Sequence, residues 1–337
     1  MMRILITGAS GFIGGFLVNQ ALEQGYSVWA GVRAGSNRAN LQDPRLQFIE
    51  LDYDDVDNLT IQLTAHQQIY GAWDYIIHNA GVTKTLHKEG FYQVNALYTH
   101  HLIEALHAAE CSPQKFLLMS SLSAFGKGDE KQFTPIALND TPHPDTAYGK
   151  SKLAAERFLM QQTYFPYVIL RPTGVYGPGE RDYFLAIKSV QSGFNFAVGL
   201  IKQRLTFIYV KDLVSVAFLA LENEQIVNRS YFVSDGTVYT DKDFAQLMQQ
   251  ALAKKWVLNI RIPLRLAWVA CYISEGLSWF ANKPTALNSD KYLIFKQRNW
   301  ICDTEPLQKE LGFTPDYPLD KGLKESIAWY RKAGWLK

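Results

Sequence analysis

The 337-residue chain has only three cysteines, Cys111, Cys271 and Cys302, and no Cys-x-x-Cys pair. That argues against a disulfide framework or a structural zinc site, and a reducing cytoplasm is the expected home. Charge of one sign is also lacking: 34 Lys and Arg stand against 32 Asp and Glu, a net +2. Nothing in that balance favours nucleic acid as a partner. Long apolar runs are absent. The most apolar late stretch, Leu266 to Ile273, is bounded by Arg265 and Glu275, far short of the roughly 20 residues of a spanning helix. No transmembrane segment is expected. The opening Met1-Met2-Arg3-Ile4-Leu5-Ile6-Thr7-Gly8 runs straight into an apolar strand and a glycine turn, without the features of a signal peptide. No internal repeat, low-complexity tract or Ser/Gly linker divides the chain.

What is present is apolar and strand-rich. Hydrophobic residues make up 47% and charged residues 20%, enough to build a sizeable core and too little charge for a disordered chain or a long coiled coil. At roughly 150 residues per domain the length suggests two domains. Strands are expected at Arg3–Thr7, Ser27–Val32, Gln47–Leu51, Tyr75–His78, Lys115–Ser120 and Tyr167–Arg171. Several are apolar throughout, as parallel strands covered on both faces are. Helical lengths separate them, as at Phe12–Gln24, Glu89–Ala109 and Thr146–Tyr164. The reading is an α/β fold, a Rossmann-type doubly wound parallel sheet with a smaller C-terminal α/β substrate-binding domain. Residues 1–173, with returns near 205–255, are assigned to the sheet domain; 174–204 and 256–337 mainly form the second. Short strands are expected at Thr206–Val210 and Tyr231–Val233, and helices at Leu213–Glu222 and Asp241–Ala253. The aromatic segment Trp256–Trp300 reads as irregular.

Thr7-Gly8-Ala9-Ser10-Gly11-Phe12-Ile13-Gly14 follows a strand and opens a helix. Gly8 suits the tight turn, Gly11 lets a pyrophosphate approach the backbone, and Gly14 lets the helix pack on the sheet. Free N–H groups at the helix start, with the helix dipole, then hold the phosphates of a dinucleotide, and Ser10, Gly11, Phe12 and Ile13 are candidate cofactor-binding residues. About 20 residues later an acid would bind the ribose 2′-hydroxyl of NAD. Here Gly31-Val32-Arg33-Ala34-Gly35-Ser36-Asn37-Arg38 offers no acid. Arg33 and Arg38 suit a 2′-phosphate instead, so NADP is the expected cofactor, with NAD possible. Asp52, after the third strand, is a candidate for the adenine amino group.

Tyr148 and Lys152 are four residues apart in Tyr148-Gly149-Lys150-Ser151-Lys152, on one face of an expected helix. A tyrosine titrates near 10. A neighbouring ammonium and a positively charged nicotinamide favour the phenolate, which makes Tyr148 a candidate acid/base. Ser121, beyond the fifth strand, can bond the same reacting oxygen.

These pieces resemble the extended short-chain dehydrogenases/reductases, the NAD(P)-dependent epimerase/dehydratase superfamily. The matching stretches, in order, are Thr7–Gly14, His78-Asn79-Ala80-Gly81, Ser120–Gly126, Tyr148–Lys152, Arg171-Pro172-Thr173-Gly174-Val175-Tyr176-Gly177-Pro178-Gly179, and Phe207–Asp212. The resemblance covers nearly the whole chain. It implies that Ser121, four residues before Phe125-Gly126, is the catalytic serine rather than Ser120 or Ser123. It implies that Tyr148 is the acid/base, and that Lys152 holds the nicotinamide ribose and lowers the tyrosine pKa. It places Asn79, Ala80, Gly81, Asn95, Pro172 and Thr173 beside the cofactor. After Asn95 the usual Gly-Thr is replaced by Tyr98-Thr99. It also implies a homodimer through Glu89–Ala109 and Thr146–Tyr164, with Ala96, Ala105, Ala154 and Ala155 permitting close packing.

Three functions fit this family: net alcohol/ketone or aldehyde oxidoreduction on a small molecule, nucleotide-sugar epimerisation or dehydration, and non-catalytic NADP binding. The complete Ser-Tyr-Lys set disfavours the last. Sugar-nucleotide members usually carry an arginine two residues before the Phe of F-x-Y-V; here that residue is Leu205, and Arg204 is one earlier, on the opposite strand face. The end of the second strand resembles the dihydroflavonol-reductase-like branch, and the tail resembles 3β-hydroxysteroid-dehydrogenase-like members. Both favour net oxidoreduction of a hydrophobic substrate. Trp268, Tyr272 and Trp279 form a helical stripe expected in the core.

Overall fold

The computed structural model describes residues 1–283, 285 and 287–336. Strand and helix alternate at first: β1 (Arg3–Thr7), α1 (Phe12–Glu23), β2 (Ser27–Val32), β3 (Gln47–Glu50), α2 (Val56–Tyr70), β4 (Tyr75–His78), α3 (Glu89–Tyr92), a π-helical turn (Gln93–Leu97), α4 (Tyr98–Ala108), β5 (Lys115–Met119), α5 (Ala147–Gln161) and β6 (Tyr167–Pro172). Shorter strands follow: β7 (Gly174–Tyr176), α6 (Arg181–Gln191), β8 (Phe194–Val198), β9 (Arg204–Leu205), β10 (Phe207–Tyr209), α7 (Val210–Glu222), β11 (Arg229–Val233), β12 (Tyr239–Thr240) and α8 (Asp241–Ala251). Last come β13 (Leu258–Ile262), α9 (Leu264–Ala281), α10 (Ser289–Lys296), α11 (Glu305–Leu311) and α12 (Leu319–Lys332).

The main sheet runs β11-β6-β5-β4-β1-β2-β3, parallel throughout. It contains all six strands expected from the first half of the sequence. Successive residues of a strand face opposite layers. Ile4 and Ile6 join Leu17 and Val18 of α1 and Leu213 and Val216 of α7. Leu5 joins Leu59 and Leu63 of α2, Leu102 and Leu106 of α4, and Leu159 of α5. Burial on both faces is why these strands read as unbroken apolar runs. Each fully buried Leu or Ile contributes about 1.5–3 kcal/mol. The chain moves outward from β1 in both directions, so a crevice opens beyond the strand ends between β1 and β4. A further cluster packs Tyr176, Tyr209, Met248, Leu323 and Tyr330 among the later elements.

Three expectations need correction. The expected helix Glu89–Ala109 is broken by the π-helical turn at Gln93–Leu97. The segment 256–300 holds regular elements: β13 pairs in parallel with β8, and α9 runs for 18 residues. The signal was hidden because the strand's partner is remote and the helix is apolar on nearly every side, which erases the polar–apolar period. The Trp268, Tyr272 and Trp279 stripe lies exposed on α9 rather than in the core. Of the small residues expected at a dimer contact, Ala96, Ala105 and Ala155 are fully buried within the chain itself. Among the described residues, no helix is long and apolar enough to cross a membrane.

Candidate active site

A cavity of about 1020 Å³ lies over the crevice, roofed by the later elements. At its floor, Gly8 has φ +65° and a Cβ there falls 2.7 Å from the backbone nitrogen of Ala80. A Cβ at Gly14 collides with the Gly8 carbonyl, so bare α-carbons let α1 seat on the turn. Gly11 is the N-cap of α1 and offers no capping side chain, and the first turn carries no acid. The helix start therefore presents unpaired N–H groups and a positive dipole end to the cavity, a ready anion site. Gly8, Ser10, Gly11, Phe12 and Ile13 line the cavity, while Gly14 supports the turn from behind.

Arg33 and Ser36 line the cavity at the end of β2, with the Arg33 N–H donating to the Ser36 hydroxyl at 3.1 Å. Arg38 does not line it. Its guanidinium is ion-paired to Glu50 at 2.8 Å and sits over the Phe48 ring. Asp52 also lies outside the lining; its carboxylate accepts from Asn58 at 3.0 Å and from the Asp54 N–H at 3.2 Å. The aromatic pair Tyr53 and Tyr98, stacked at 5.5 Å, lines the same wall. Tyr98 is the residue that departs from the Gly-Thr of the resemblance, and the sequence reading draws no wall from it.

Asn79, Ala80 and Gly81 line the cavity after β4. Beneath them His78 bridges Thr7 at 2.8 Å and Thr99 at 3.0 Å. Burial, with the Lys152 charge adding to it, pushes the imidazole down to about 3, so it is neutral. Asn95 sits in the π-helical turn and clamps Val82: its Oδ1 accepts from the Val82 N–H at 2.8 Å and its Nδ2 donates to the Val82 carbonyl at 3.1 Å. Asn95 positions this loop and does not itself line the cavity. Such π-turns gather at functional sites.

Ser121, Tyr148 and Lys152 converge on the cavity. Tyr148 opens α5, where Thr146 caps the helix by accepting from the Gly149 N–H at 2.9 Å. The Tyr148 ring meets Phe91 edge-on, and Tyr148 and Ser121 line the same cavity. Burial raises the phenol above its ordinary value and the neighbouring Ser121 acts the other way. The Lys152 ammonium donates to the Met119 carbonyl at 2.8 Å. It is pushed down to about 8 by burial, with Glu156 opposing. The expected lowering of the phenol by Lys152 is thus not the governing influence on Tyr148 in this state. A Cβ at Gly81 falls 3.2 Å from the Lys152 ammonium and 2.9 Å from Asn95 Oδ1, which explains the bare α-carbon. Ser120, the serine set aside by sequence, donates to Glu156, whose carboxylate takes a two-pronged bond from Arg171 at 3.0 and 2.9 Å. Both serines line the cavity, but the Ser120 hydroxyl is committed to Glu156.

Pro172 and Thr173 line the cavity beyond β6, and the Thr173 N–H donates to the Val233 carbonyl at 3.1 Å. The far lobe is mostly apolar, with Phe196, Val198, Leu205, Phe207, Phe244, Met248, Ile262, Ile294 and Phe295. Residues from α10 enter it and none from α9 do. Two features escaped the sequence reading. Asp290 of α10 accepts from the Tyr148 backbone N–H at 3.1 Å. Lys84 and Lys291 both meet Asp182, at 2.6 and 3.3 Å, across the cavity. Burial tends to raise the Asp182 carboxyl, but the two lysines outweigh it and hold it below the usual range.

Comparison with known proteins agrees with this arrangement. Residues 4–233 match the model of the NAD dependent epimerase/dehydratase family. The chain is 24% identical to a 3-beta-hydroxysteroid dehydrogenase of Mycolicibacterium neoaurum, over 97% of this chain and 91% of that one. It is 28% identical to a UDP-glucose 4-epimerase of Vibrio cholerae, over 98% and 96%. A solved structure of a UDP-glucuronic acid 4-epimerase from Bacillus cereus in complex with NAD superposes with a TM-score of 0.75, at 21% identity, over 98% of this chain and 99% of that one. That last likeness is one of fold. With the matched family model spanning the sheet, the glycine turn and the Ser-Tyr-Lys set, the chain belongs to the NAD dependent epimerase/dehydratase family of enzymes.

Proposed function

We propose that this enzyme carries out net hydride exchange between a nicotinamide cofactor and a hydrophobic alcohol/ketone or aldehyde pair. The observation that carries this reading is at β9. Leu205 faces the cavity, while Arg204 is exposed with its guanidinium 6.0 Å from the Phe133 ring. An apolar side chain thus stands where sugar-nucleotide members of the family usually carry an arginine, and the surrounding lobe is mostly apolar.

The residues fit the cofactor: the uncapped start of α1 suits the pyrophosphate, Arg33 a 2′-phosphate, Lys152 the nicotinamide ribose, and the Pro172–Thr173 backbone the carboxamide. When bound, the cofactor supplies or accepts the hydride. NADP(H) is the preferred form in this reading, resting on Arg33 and on the absence of an acid at the end of β2; NAD is the alternative. Tyr148 gives its phenolic proton to the carbonyl oxygen during reduction and takes it back during oxidation. Ser121 orients the same oxygen. Residues 1–173, with the returns near 205–255, form the cofactor domain, and 174–204 with 256–337 the substrate domain. A homodimer through Glu89–Ala109 and Thr146–Tyr164, where Met160 and Tyr164 are exposed, and a cytoplasmic setting for the three buried thiols complete the reading.

One observation favours nucleotide-sugar epimerisation as a second reading. Lys84 and Lys291 line the cavity, and on release from Asp182 they offer two cations to a diphosphate. A panel of hydrophobic ketones and UDP-sugars, each followed for NADPH consumed per product formed, separates the two. One NADPH oxidised per ketone reduced is expected. Conversion of a UDP-sugar with no net change in cofactor, and no ketone reduction, overturns the proposal.

A further inference from the structure

Helix α9 touches the rest of the chain along a narrow stripe. Ala267 and Cys271 are its buried residues, while Leu266, Val269, Ile273, Leu277 and Phe280 are exposed along one side and Trp268, Tyr272 and Trp279 along another. Its charged residues are Arg265 and Glu275, and Glu275 is engaged by the Ser289 N–H and hydroxyl at 3.0 and 3.1 Å. A helix apolar on nearly every side belongs in a covered environment, and this much contiguous apolar surface marks an interaction site. Strand β13 leads through Pro263 into α9, and the β8/β13 pair carries exposed apolar side chains as well. Phe194 and Phe196 alternate onto one face, opposite Leu258 and Ile260, and Phe194, Phe196 and Leu258 are exposed.

We propose that α9 and the β8/β13 face dock on the surface of an anionic lipid bilayer. The charge distribution selects this occupant. Between positions 254 and 283 the basic residues are Lys254, Lys255, Arg261, Arg265 and Lys283 and the acidic residue is Glu275. Five minus one is +4, against +2 for the whole chain, so the remainder is net −2. Arg261 is taken by Asp241 at 2.6 Å; Lys255, Arg265 and Lys283 are exposed. Aromatic and aliphatic residues flanked by lysine and arginine match an interfacial helix lying in the headgroup plane. A two-fold contact between copies would instead set this positive rim against itself. The helix is about 27 Å long at 1.5 Å per residue, and it lies on the bilayer instead of crossing it. The docked face borders the substrate cavity, since half-exposed Phe196 of β8 also lines that cavity. A lipid-dissolved substrate thus has an apolar path to it. The docking itself holds whichever reaction the enzyme performs.

Co-sedimentation of the full chain with phosphatidylcholine vesicles, with and without phosphatidylglycerol, tests this without turnover. Trp279 and Phe280 are 68% and 92% exposed, so Trp279→Glu/Phe280→Glu should unfold at the same urea concentration as wild type. Wild type is expected to pellet with the anionic vesicles and release as salt rises. The double variant should bind at least about tenfold more weakly. Lys255→Glu/Arg265→Glu/Lys283→Glu should lose the preference for phosphatidylglycerol. Wild type remaining in the supernatant with anionic vesicles overturns the proposal. So does a wild-type dimer that the double variant splits into monomers, because the patch is then covered by a second copy.

Discussion

The backbone N–H of Tyr148 donates to the Asp290 carboxylate at 3.1 Å, joining residues 142 positions apart. The first turn of α5 is thereby anchored twice, by Thr146 from within and by Asp290 from α10. A carboxylate at a helix N-terminus is favoured by the unpaired N–H groups and the helix dipole. Because Lys291 follows directly and meets Asp182, the same helix fixes both Tyr148 and one wall of the cavity.

Asp290→Ala should therefore slow turnover without emptying the cofactor site. Loss of such a cap costs about 1 kcal/mol, which corresponds to roughly a five- to tenfold fall in kcat if it is expressed in Tyr148 placement. Steady-state kinetics beside a cofactor titration check this. Affinity for NADPH should stay close to wild type, and Asp290→Asn should recover part of the rate. A parallel collapse of cofactor affinity would show that the contact merely holds the fold.

Tyr148→Phe keeps the ring against Phe91 and removes the transferable proton. Turnover should be abolished with NADPH affinity little changed. Lys152→Ala should damage both, since Lys152 stands beside Gly81 and Asn95 as well as on the catalytic face. Full activity in Tyr148→Phe would remove the assigned acid/base.

Much of this was legible in the sequence because it is local. The glycine turn, the strand-end serine and the Tyr-x-x-x-Lys spacing each fall within a few residues, and uniformly apolar strands announce a sheet covered on both faces. Ser120 and Ser121 both line the cavity, and Ser120 is bonded to Glu156, which Arg171 holds in turn. What was not legible is made by distant pairs. Nothing near Asp290 indicates that it serves Tyr148, and nothing near Asp182 brings Lys84 and Lys291 to it. The pair Arg33 and Arg38 looked equivalent in sequence, yet Glu50 on the neighbouring strand draws Arg38 away from the cavity.

That difference separates the two arginines experimentally. Arg33→Ala should weaken NADPH binding by at least about tenfold and leave NADH nearly unchanged, as expected for a lost charge-assisted contact to a 2′-phosphate. Arg38→Ala should have a small effect on either cofactor. Equal losses for NADPH and NADH in Arg33→Ala would argue against 2′-phosphate recognition.

His78 makes stability pH-dependent in a defined direction. Its folded-state value of about 3 lies below the ordinary value near 6.5. Between these limits the unfolded chain binds a proton that the folded chain refuses, so stability falls as pH drops through 6.5 and on towards 3. From pH 7 to pH 5 the loss from this group is about 2 kcal/mol. Urea unfolding of wild type and His78→Asn at both pH values isolates it. The variant should lose less stability than wild type on acidification; an identical loss in both would exclude His78 as the source.

The central claim, net oxidoreduction with an exchangeable cofactor, is tested most directly by titrating NADPH and NADH side by side and identifying by mass spectrometry any nicotinamide retained on the purified protein. Tighter binding of NADPH, with cofactor that exchanges freely, is the expected result. NAD retained through purification and not displaced by NADPH would contradict the account and point to a cycle in which the cofactor is reduced and reoxidised without leaving.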